Sequence, residues 1–369
     1  MSSNTPLRIG HVDTGMDLRG GQRQLLLLAQ GLRARGHQQL IVCPLESELY
    51  RYATEADFEV LSLPPDDFRH IGGIRLLRRR VQQDVLMLLH AHDGVGQTLA
   101  WLASIGTPVR RVATRRVIYL PRRRLDYRLK YKYTCHAVVA VSQFIGRILE
   151  DTGIPHQMIN VIPDGIEIPQ RVPDAATRNA TRARWRLSED EFAVGHLGGY
   201  GREKGQDLAI KSLGFLSGPQ PKVKLVLGGS IAAEDLAASQ LGAAVAGGQV
   251  LLAGYQENLF EFFAGLDVYI MPSRAEGLGS AALLAMAHGL PVIATKVGGL
   301  PEIVEEGITG WLVEPESPQG LADAIAAASE NPARLKELGG RARLRSQDFA
   351  ADLMIERTEA LYRCLLDAQ

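Results

Sequence analysis

Three cysteines in 369 residues, Cys43, Cys135 and Cys364, are too few, too far apart and odd in number. They support neither a disulfide framework nor a cysteine metal site. No apolar run approaches the roughly 18–20 residues that cross a bilayer. Residues 1–6 are short and polar, without the pattern of a secretory leader. Low-complexity tracts and obvious internal repeats are also missing. These absences fit a cytoplasmic protein. What the chain does have is 46% hydrophobic residues, enough for large cores and against disorder. Its length is generous for one α/β domain and comfortable for two.

There is no net charge, but the balance hides an asymmetry. Residues 1–165 carry 22 Lys and Arg against 15 Asp and Glu, and the remainder carries 19 against 26. Ten of the basic residues fall between positions 110 and 132, with Asp126 as the one acid among them. A basic first half points to an anionic partner: phosphate, nucleic acid or a membrane surface.

Short apolar strands alternate with amphipathic helices throughout, the pattern of a parallel, doubly wound sheet. The first run predicts strands over 7–12, 40–43, 85–90, 109–114, 137–141 and 161–162, with Ser142 placed to cap a helix. Residues 169–190 read as a linker and a connecting helix. A second run predicts strands over 192–197, 223–227, 250–252, 268–270 and 292–294, and helices over 206–216, 259–264 and 280–288. The chain continues as helix over 319–366, with breaks expected near Pro332 and Gly339-Gly340. Two such domains place ligand-binding crevices at the carboxyl ends of their strands.

Several motifs sit at those ends. Gly20 and Gly21 follow the first strand and open a helix. They let backbone approach an anion, or they simply make a tight turn; the residues alone fit both. The G-x-G-x-x-G spacing is absent, and Cys43 leads to Pro44 where a dinucleotide site needs an acid. Gly198-Gly199-Tyr200-Gly201-Arg202-Glu203-Lys204-Gly205 joins an open turn to two cations that can neutralise a diphosphate. The segment over 271–304 places Glu276 beside Gly277, Leu278, Gly279 and Ser280 at a helix start, where a carboxylate can hold sugar hydroxyls and backbone N–H groups can hold phosphate. His90 and His92 lie two apart without an evident third metal ligand, so they read as structural or acceptor-contacting. The segment from Arg122 to Tyr133 interleaves cations with aromatics. It suits a solvated helix face, an anionic membrane surface or RNA.

In these residues the chain resembles the GT-B-fold glycosyltransferases of family 4. The resemblance runs through the Gly20-Gly21 turn, Ala140-Val141-Ser142, Val161-Ile162-Pro163-Asp164-Gly165-Ile166, Glu203-Lys204-Gly205, Pro272-Ser273 and Glu276-Gly277. It continues through Ala285-Met286-Ala287, Gly289-Leu290-Pro291-Val292 and Gly298-Gly299-Leu300-Pro301-Glu302-Ile303. It implies two Rossmann-like domains facing across a cleft. An acceptor domain would span 1–166, with the helix over 352–369 returning to it, and a donor domain 167–351. It also implies a retaining hexosyl transfer from a nucleoside diphosphate sugar to a hydroxyl of a glycan or lipid-linked acceptor, in cell-surface polysaccharide or lipopolysaccharide synthesis. No cofactor and no divalent metal would be needed, and no nucleic acid would be bound.

By that resemblance Lys204 and Arg202 serve the leaving diphosphate and Glu276 the donor sugar. Gly277, Leu278, Gly279 and Ser280 approach sugar and phosphates from their backbone, and Gly20 and Gly21 approach the diphosphate. The sequence departs from the family in three places. Leu284 stands where a second Glu usually takes the ribose, and Gly199 where an Arg is common. Arg116, beside Arg115, stands where many members have His. Arginine cannot be a base at pH 7, but it can bind acceptor or phosphate. The rival readings are a catalytically inactive scaffold or partner subunit, and a sugar-nucleotide epimerase or phosphorylase.

Overall fold

A computed structural model describes residues 5–64, 71–83, 86–118, 124–216, 222–231 and 239–368. The chain packs as two compact units: Met1–Gly165 together with Ala351–Gln369, and Ile166–Ala350.

The first unit carries seven strands: β1 (Arg8–Val12), β2 (Gln38–Pro44), β3 (Glu59–Leu63), β4 (Leu88–Ala91), β5 (Arg110–Arg115), β6 (Ala137–Ala140) and β7 (Ile159–Val161). They form one sheet in the order β3-β2-β1-β4-β5-β6-β7, and every pairing is parallel. Helices cover both faces of such a sheet, so central strands read as unbroken apolar runs, as Leu40-Ile41-Val42 does. The strand order reverses between β1 and β4, whose register pairs His11 with His90 and Val12 with Ala91. β3 was not anticipated. It is an edge strand that begins on exposed Glu59, with no long apolar run to announce it. The expected strand over 85–90 begins instead at Leu88, and residue 85 lies outside the described residues.

The helix Ala351–Asp367 completes this unit. Met354, Ile355, Tyr362 and Leu366 join Leu7, Ile9, Leu28 and Leu32 in one buried cluster. Burying such a side chain contributes roughly 2 kcal/mol. Gly31 lets the helix Gly20–Ala34 come close, because a Cβ there would lie 2.1 Å from Ile355 Cδ1.

The second unit has six strands: β8 (Phe192–Leu197), β9 (Val223–Gly228), β10 (Val250–Gly254), β11 (Val268–Met271), β12 (Val292–Thr295) and β13 (Gly310–Val313). Their order is β10-β9-β8-β11-β12-β13, again parallel, with the reversal between β8 and β11. Its core gathers Val194, Leu225, Leu227, Ile270 and Ile293 from the strands and Leu321 and Ile325 from the helix Pro318–Glu330. β13 was also missed. It opens on Gly310, where a Cβ would meet the Val292 carbonyl oxygen at 1.9 Å.

The helix expected over 206–216 stops at Leu213. The expected break at Gly339-Gly340 is absent: the helix Pro332–Ser346 runs straight through. Gly339 serves packing there, since a Cβ would lie 2.1 Å from the Gly289 carbonyl oxygen. The breaks fall at Asn331, which caps that helix through Arg334 N–H, and at the turn Gln347–Phe349. Ser142 caps the helix Gln143–Asp151 as expected, accepting from Ile145 N–H.

Candidate functional site

An open parallel sheet leaves a crevice where its strand order reverses, beyond the carboxyl ends of the two strands concerned. In the second unit these are β8 and β11. After β8 the chain makes a single 3₁₀ turn, Arg202–Lys204. Gly205 then follows with φ +69°, against the Pro272 backbone, where a Cβ would lie 1.9 Å from the carbonyl oxygen. After β11 comes the loop that carries Glu276. Gly298 presses on it with φ +58°, since a Cβ there would fall 1.7 Å from the Glu276 carbonyl oxygen. These approaches bring two residues 72 positions apart into contact: Lys204 Nζ donates to Glu276 Oε2 at 2.8 Å. The Glu276 side chain is 14% exposed and that of Lys204 37%, so the pair is open to a ligand on its lysine side.

The loop ends at Gly279, with φ +110°, and the helix Ser280–Ala287 starts with no side chain capping it. Gly277, Leu278 and Gly279 are buried, Ser280 and Leu284 half-buried. Gly199 and Arg202 are exposed. The Gly199 carbonyl accepts from Gln206 Nε2 at 2.9 Å. Beneath Lys204, His196 is fully buried near the end of β8 and stacks on Tyr269 with a 6.3 Å centroid separation. Burial, and then the Lys204 charge, lower its pKa to about 3.

In the first unit the crevice lies at the ends of β1 and β4. The helix Gly20–Ala34 begins here with Gly20 exposed, and the side chain of Arg116 runs past Gly21, whose Cβ would sit 3.8 Å from Arg116 Cδ. Arg116 Nε is forked on Asp164 at 3.0 and 3.2 Å. Its Nη1 lies 3.4 Å from His92 Nδ1. From there a polar chain enters the core, with His92 Nε2 3.1 Å from His11 Nδ1 and His11 Nε2 2.9 Å from Gln39 Oε1. A guanidinium only donates, so His92 accepts at Nδ1, donates from Nε2 to His11, and His11 donates from Nε2 to Gln39. His90 is held by Tyr362 Oη at 2.5 Å and Thr114 Oγ1 at 2.6 Å.

Burial, with smaller contributions from neighbouring positive charge at His90 and His92, keeps all three imidazoles neutral. The His11 pKa falls to about 4, and those of His90 and His92 lie well below the usual value. His11 is the third imidazole that spacing alone did not reveal. Among the described residues these three form a group with metal-ligand chemistry. Every ring nitrogen of the group already has a protein partner, and the Arg116 cation stands beside it; both disfavour a divalent ion.

A cavity of about 630 Å³ opens next to this cluster, lined among others by Thr14, Gln22, Asp93, Leu99, Leu102 and Lys130. Asp93 caps the helix Gly94–Ser104 through Val95 and Gly96 N–H. Lys130 donates to the Gly94 carbonyl.

The comparisons with known proteins bear on both units. The description "Glycosyl transferases group 1" matches residues 177–345, and "Glycosyltransferase Family 4" matches residues 18–169.

The chain belongs to the group 1 glycosyltransferase family.

Among curated relatives of this family, the D-inositol 3-phosphate glycosyltransferase of an Arthrobacter species is 31% identical over 57% of this chain and 51% of its own. The lipopolysaccharide core biosynthesis mannosyltransferase LpsB of Rhizobium meliloti is 30% identical over 62% of this chain and 66% of its own. The chain thus spans about half the length of the first of these relatives and 66% of the second. Anabaena Alr3699/HepE, solved with UDP and glucose, superposes with a TM-score of 0.84 at 21% identity, over 96% of this chain and 99% of that one. That likeness shows the fold, GT-B.

In this glycosyltransferase-family chain the residues singled out from sequence fall into two groups. Lys204, Glu276, Gly277, Leu278, Gly279 and Ser280 lie together at the second unit's switch point, with Arg202 and Gly199 on its exposed rim. Gly20, Gly21, Arg116 and His92 lie together in the first unit, with Arg115 ending β5 just before Arg116. His92 is buried with both nitrogens engaged, so it supports Arg116 and does not reach outward. Sequence reasoning missed His11, Gln39 and Asp164 as the partner of Arg116; Lys130 was singled out only within the basic–aromatic segment, not as a residue lining the first unit's cavity. His11 carried a signal, a polar residue buried among apolar neighbours in a strand, that only the β1–β4 register makes legible.

The basic–aromatic segment is described in part. Arg122 and Arg123 lie outside the described residues. In the helix Arg124–Thr134, Leu129 and Tyr133 are exposed while Tyr131 is buried, so Tyr131 belongs to the core side and not to an aromatic outer face. No described helix is long and apolar enough to cross a membrane.

Proposed function

We propose that this chain transfers a sugar from a nucleoside diphosphate sugar to a hydroxyl of a glycan or lipid-linked acceptor, with retention at the anomeric carbon and without a divalent metal. The Lys204–Glu276 pair at the switch point of the second unit carries this reading. A diphosphate leaving group needs fixed positive charge where its own charge grows, and Lys204, Arg202 and the uncapped start of the helix Ser280–Ala287 supply it. Glu276 accepts hydrogen bonds from donor hydroxyls. In the reaction the bond from the anomeric carbon to the phosphate oxygen breaks, the acceptor oxygen bonds to that carbon, and its proton passes to the departing phosphate. No side-chain base is required, so Arg116 in place of a His is compatible with turnover. Positioning and phosphate stabilisation supply most of the rate.

The first unit, with its roughly 630 Å³ cavity and Arg116, is the acceptor side in this reading. HepE is crystallised with UDP and with UDP-glucose, which makes UDP-sugars the first donors to test. LpsB makes a lipopolysaccharide core glycan the first acceptor class. The expected location is the cytoplasm, with the exposed residues of the helix Arg124–Thr134 available to an anionic membrane surface.

The test combines a nucleotide panel with two variants. One of UDP, GDP, ADP, CMP or dTDP raises the melting temperature in the absence of metal, since a ligand at a hundredfold excess over Kd stabilises by about 2.7 kcal/mol. Lys204→Ala and Glu276→Ala each lower transfer by about 10²-fold or more in a folded protein. Turnover near that of the parent in either variant overturns the site assignment. An absence of any nucleotide shift favours the inactive-scaffold reading, which Leu284 and Gly199 motivate.

A further inference from the structure

Arg274 lies two residues before Glu276, and nothing in the reaction above uses it. A guanidinium has five N–H donors, and here all five are engaged. Nη1 donates to the Arg202 carbonyl at 2.8 Å and to Asp207 Oδ1 at 2.6 Å. Nη2 donates to Asp207 Oδ2 at 2.9 Å and to Glu316 Oε2 at 3.1 Å. Nε donates to Glu316 Oε1. The backbone N–H of the same residue donates to the Glu203 carbonyl at 2.8 Å. The Arg274 side chain is 17% exposed. Hydrogen bonds to Arg274 hold both carboxyl groups below their usual range.

These contacts join three pieces of backbone. Arg202 and Glu203 belong to the turn that carries Lys204, and Asp207 stands in the first turn of the helix Gln206–Leu213 that follows it. Arg274 itself is in the Glu276 loop. Glu316 lies just before the helix Pro318–Glu330, in a left-handed conformation with φ +57°. The turn Arg202–Lys204 has three residues and no capping side chain, so it cannot hold its own shape. The Lys204–Glu276 bond cannot hold it through a reaction cycle either. A donor that engages the lysine with phosphate and the glutamate with hydroxyls competes with that bond.

We propose that Arg274 is a positioning residue of the donor site, a five-bonded fork that fixes the Lys204 turn against the Glu276 loop whether or not the two side chains touch. This rests on the reading of that pair as the sugar-nucleotide site. The planar, bidentate grip on two carboxylates explains the choice of arginine, because lysine offers a point charge and cannot span both.

The test measures kinetics and amide hydrogen exchange on full-length Arg274→Ala and Arg274→Lys. A displacement of about 1 Å at reacting groups costs on the order of 10²-fold. The expected result is therefore a fall in kcat of about 10- to 100-fold with the donor KM within about threefold. Added guanidinium restores part of the kcat of Arg274→Ala, and methylammonium does not. The amides of Lys204, Gly205 and Arg274 exchange faster in Arg274→Ala, while those of β8 and β11 do not. Unchanged exchange at the three amides overturns the clamp whatever the activity. Faster exchange with parental kcat overturns the positioning role. A parent inactive with every donor fails the donor reading, and exchange still decides the clamp. If Arg274→Ala does not fold, Asp207→Asn and Glu316→Gln each remove one arm and carry the same expectations.

Discussion

Lowering the pH from 8 to 5 should cost this protein several kcal/mol of stability, because it buries histidines in neutral form. In the unfolded chain each titrates near 6.5. In the folded chain His11 titrates at about 4 and His196 at about 3, chiefly through burial. A depressed folded pKa means that the unfolded state takes up protons first. Stability is then fully present above pH 6.5 and is lost as pH falls from there toward the folded value. At pH 5 each of these two contributes a loss of about 2 kcal/mol. His90 and His92, buried beside Arg116, shift in the same direction. Asp13, whose pKa is raised by burial and by Asp93, opposes the trend once the pH nears its own range. A total of 4 kcal/mol or more is a large share of the roughly 5–15 kcal/mol that a folded domain holds. Urea denaturation at pH 8, 6.5 and 5 reads it directly. His196→Phe keeps a ring on Tyr269 and removes one titrating group, so it should flatten the dependence by about 2 kcal/mol. Equal stability at pH 8 and 5, or a slope untouched by that substitution, would refute the reasoning.

Two further predictions concern single substitutions. Gly205→Ala should cost about 3 kcal/mol, left-handed strain plus a clash with the Pro272 carbonyl, whereas Gly36→Ala, with φ +87° and open space, should cost about 1; equal shifts in the urea midpoint would contradict this. Leu284→Glu should tighten nucleoside diphosphate binding about tenfold by calorimetry, supplying a charged acceptor to ribose hydroxyls; weaker or unchanged binding would place the ribose elsewhere.

The two parallel sheets were legible because their central strands, such as Leu40-Ile41-Val42 and Leu225-Val226-Leu227, are buried apolar runs bounded by turns. β3 and β13 were not, since an edge strand starting on Glu59 and a strand starting on Gly310 lack that signature. Lys204 and Glu276 could each be placed at the end of a strand. Their 2.8 Å contact depends on β8 and β11 being neighbours, which no local pattern states. The chain from Asp164 through Arg116, His92 and His11 to Gln39 was hidden for the same reason. Its members come from separate strands and loops, and single polar residues in apolar strands look alike until register pairs them. The Gly339-Gly340 error shows the limit of glycine as punctuation: there it marks a close approach between backbones.

The first unit is assembled from two stretches of chain separated by the whole of the second. A ribosome releases residues in order, so the second unit is available in full while the first still lacks the helix Ala351–Asp367. Until that helix arrives, Leu7, Ile9, Leu28 and Leu32 have no cover from Met354, Ile355, Tyr362 and Leu366, and His90 has no Tyr362 hydroxyl. The order of completion is therefore the reverse of the order of synthesis. During that interval the nascent first unit presents an apolar stripe, which makes it the stage most open to chaperone binding or to mispairing with a neighbouring chain.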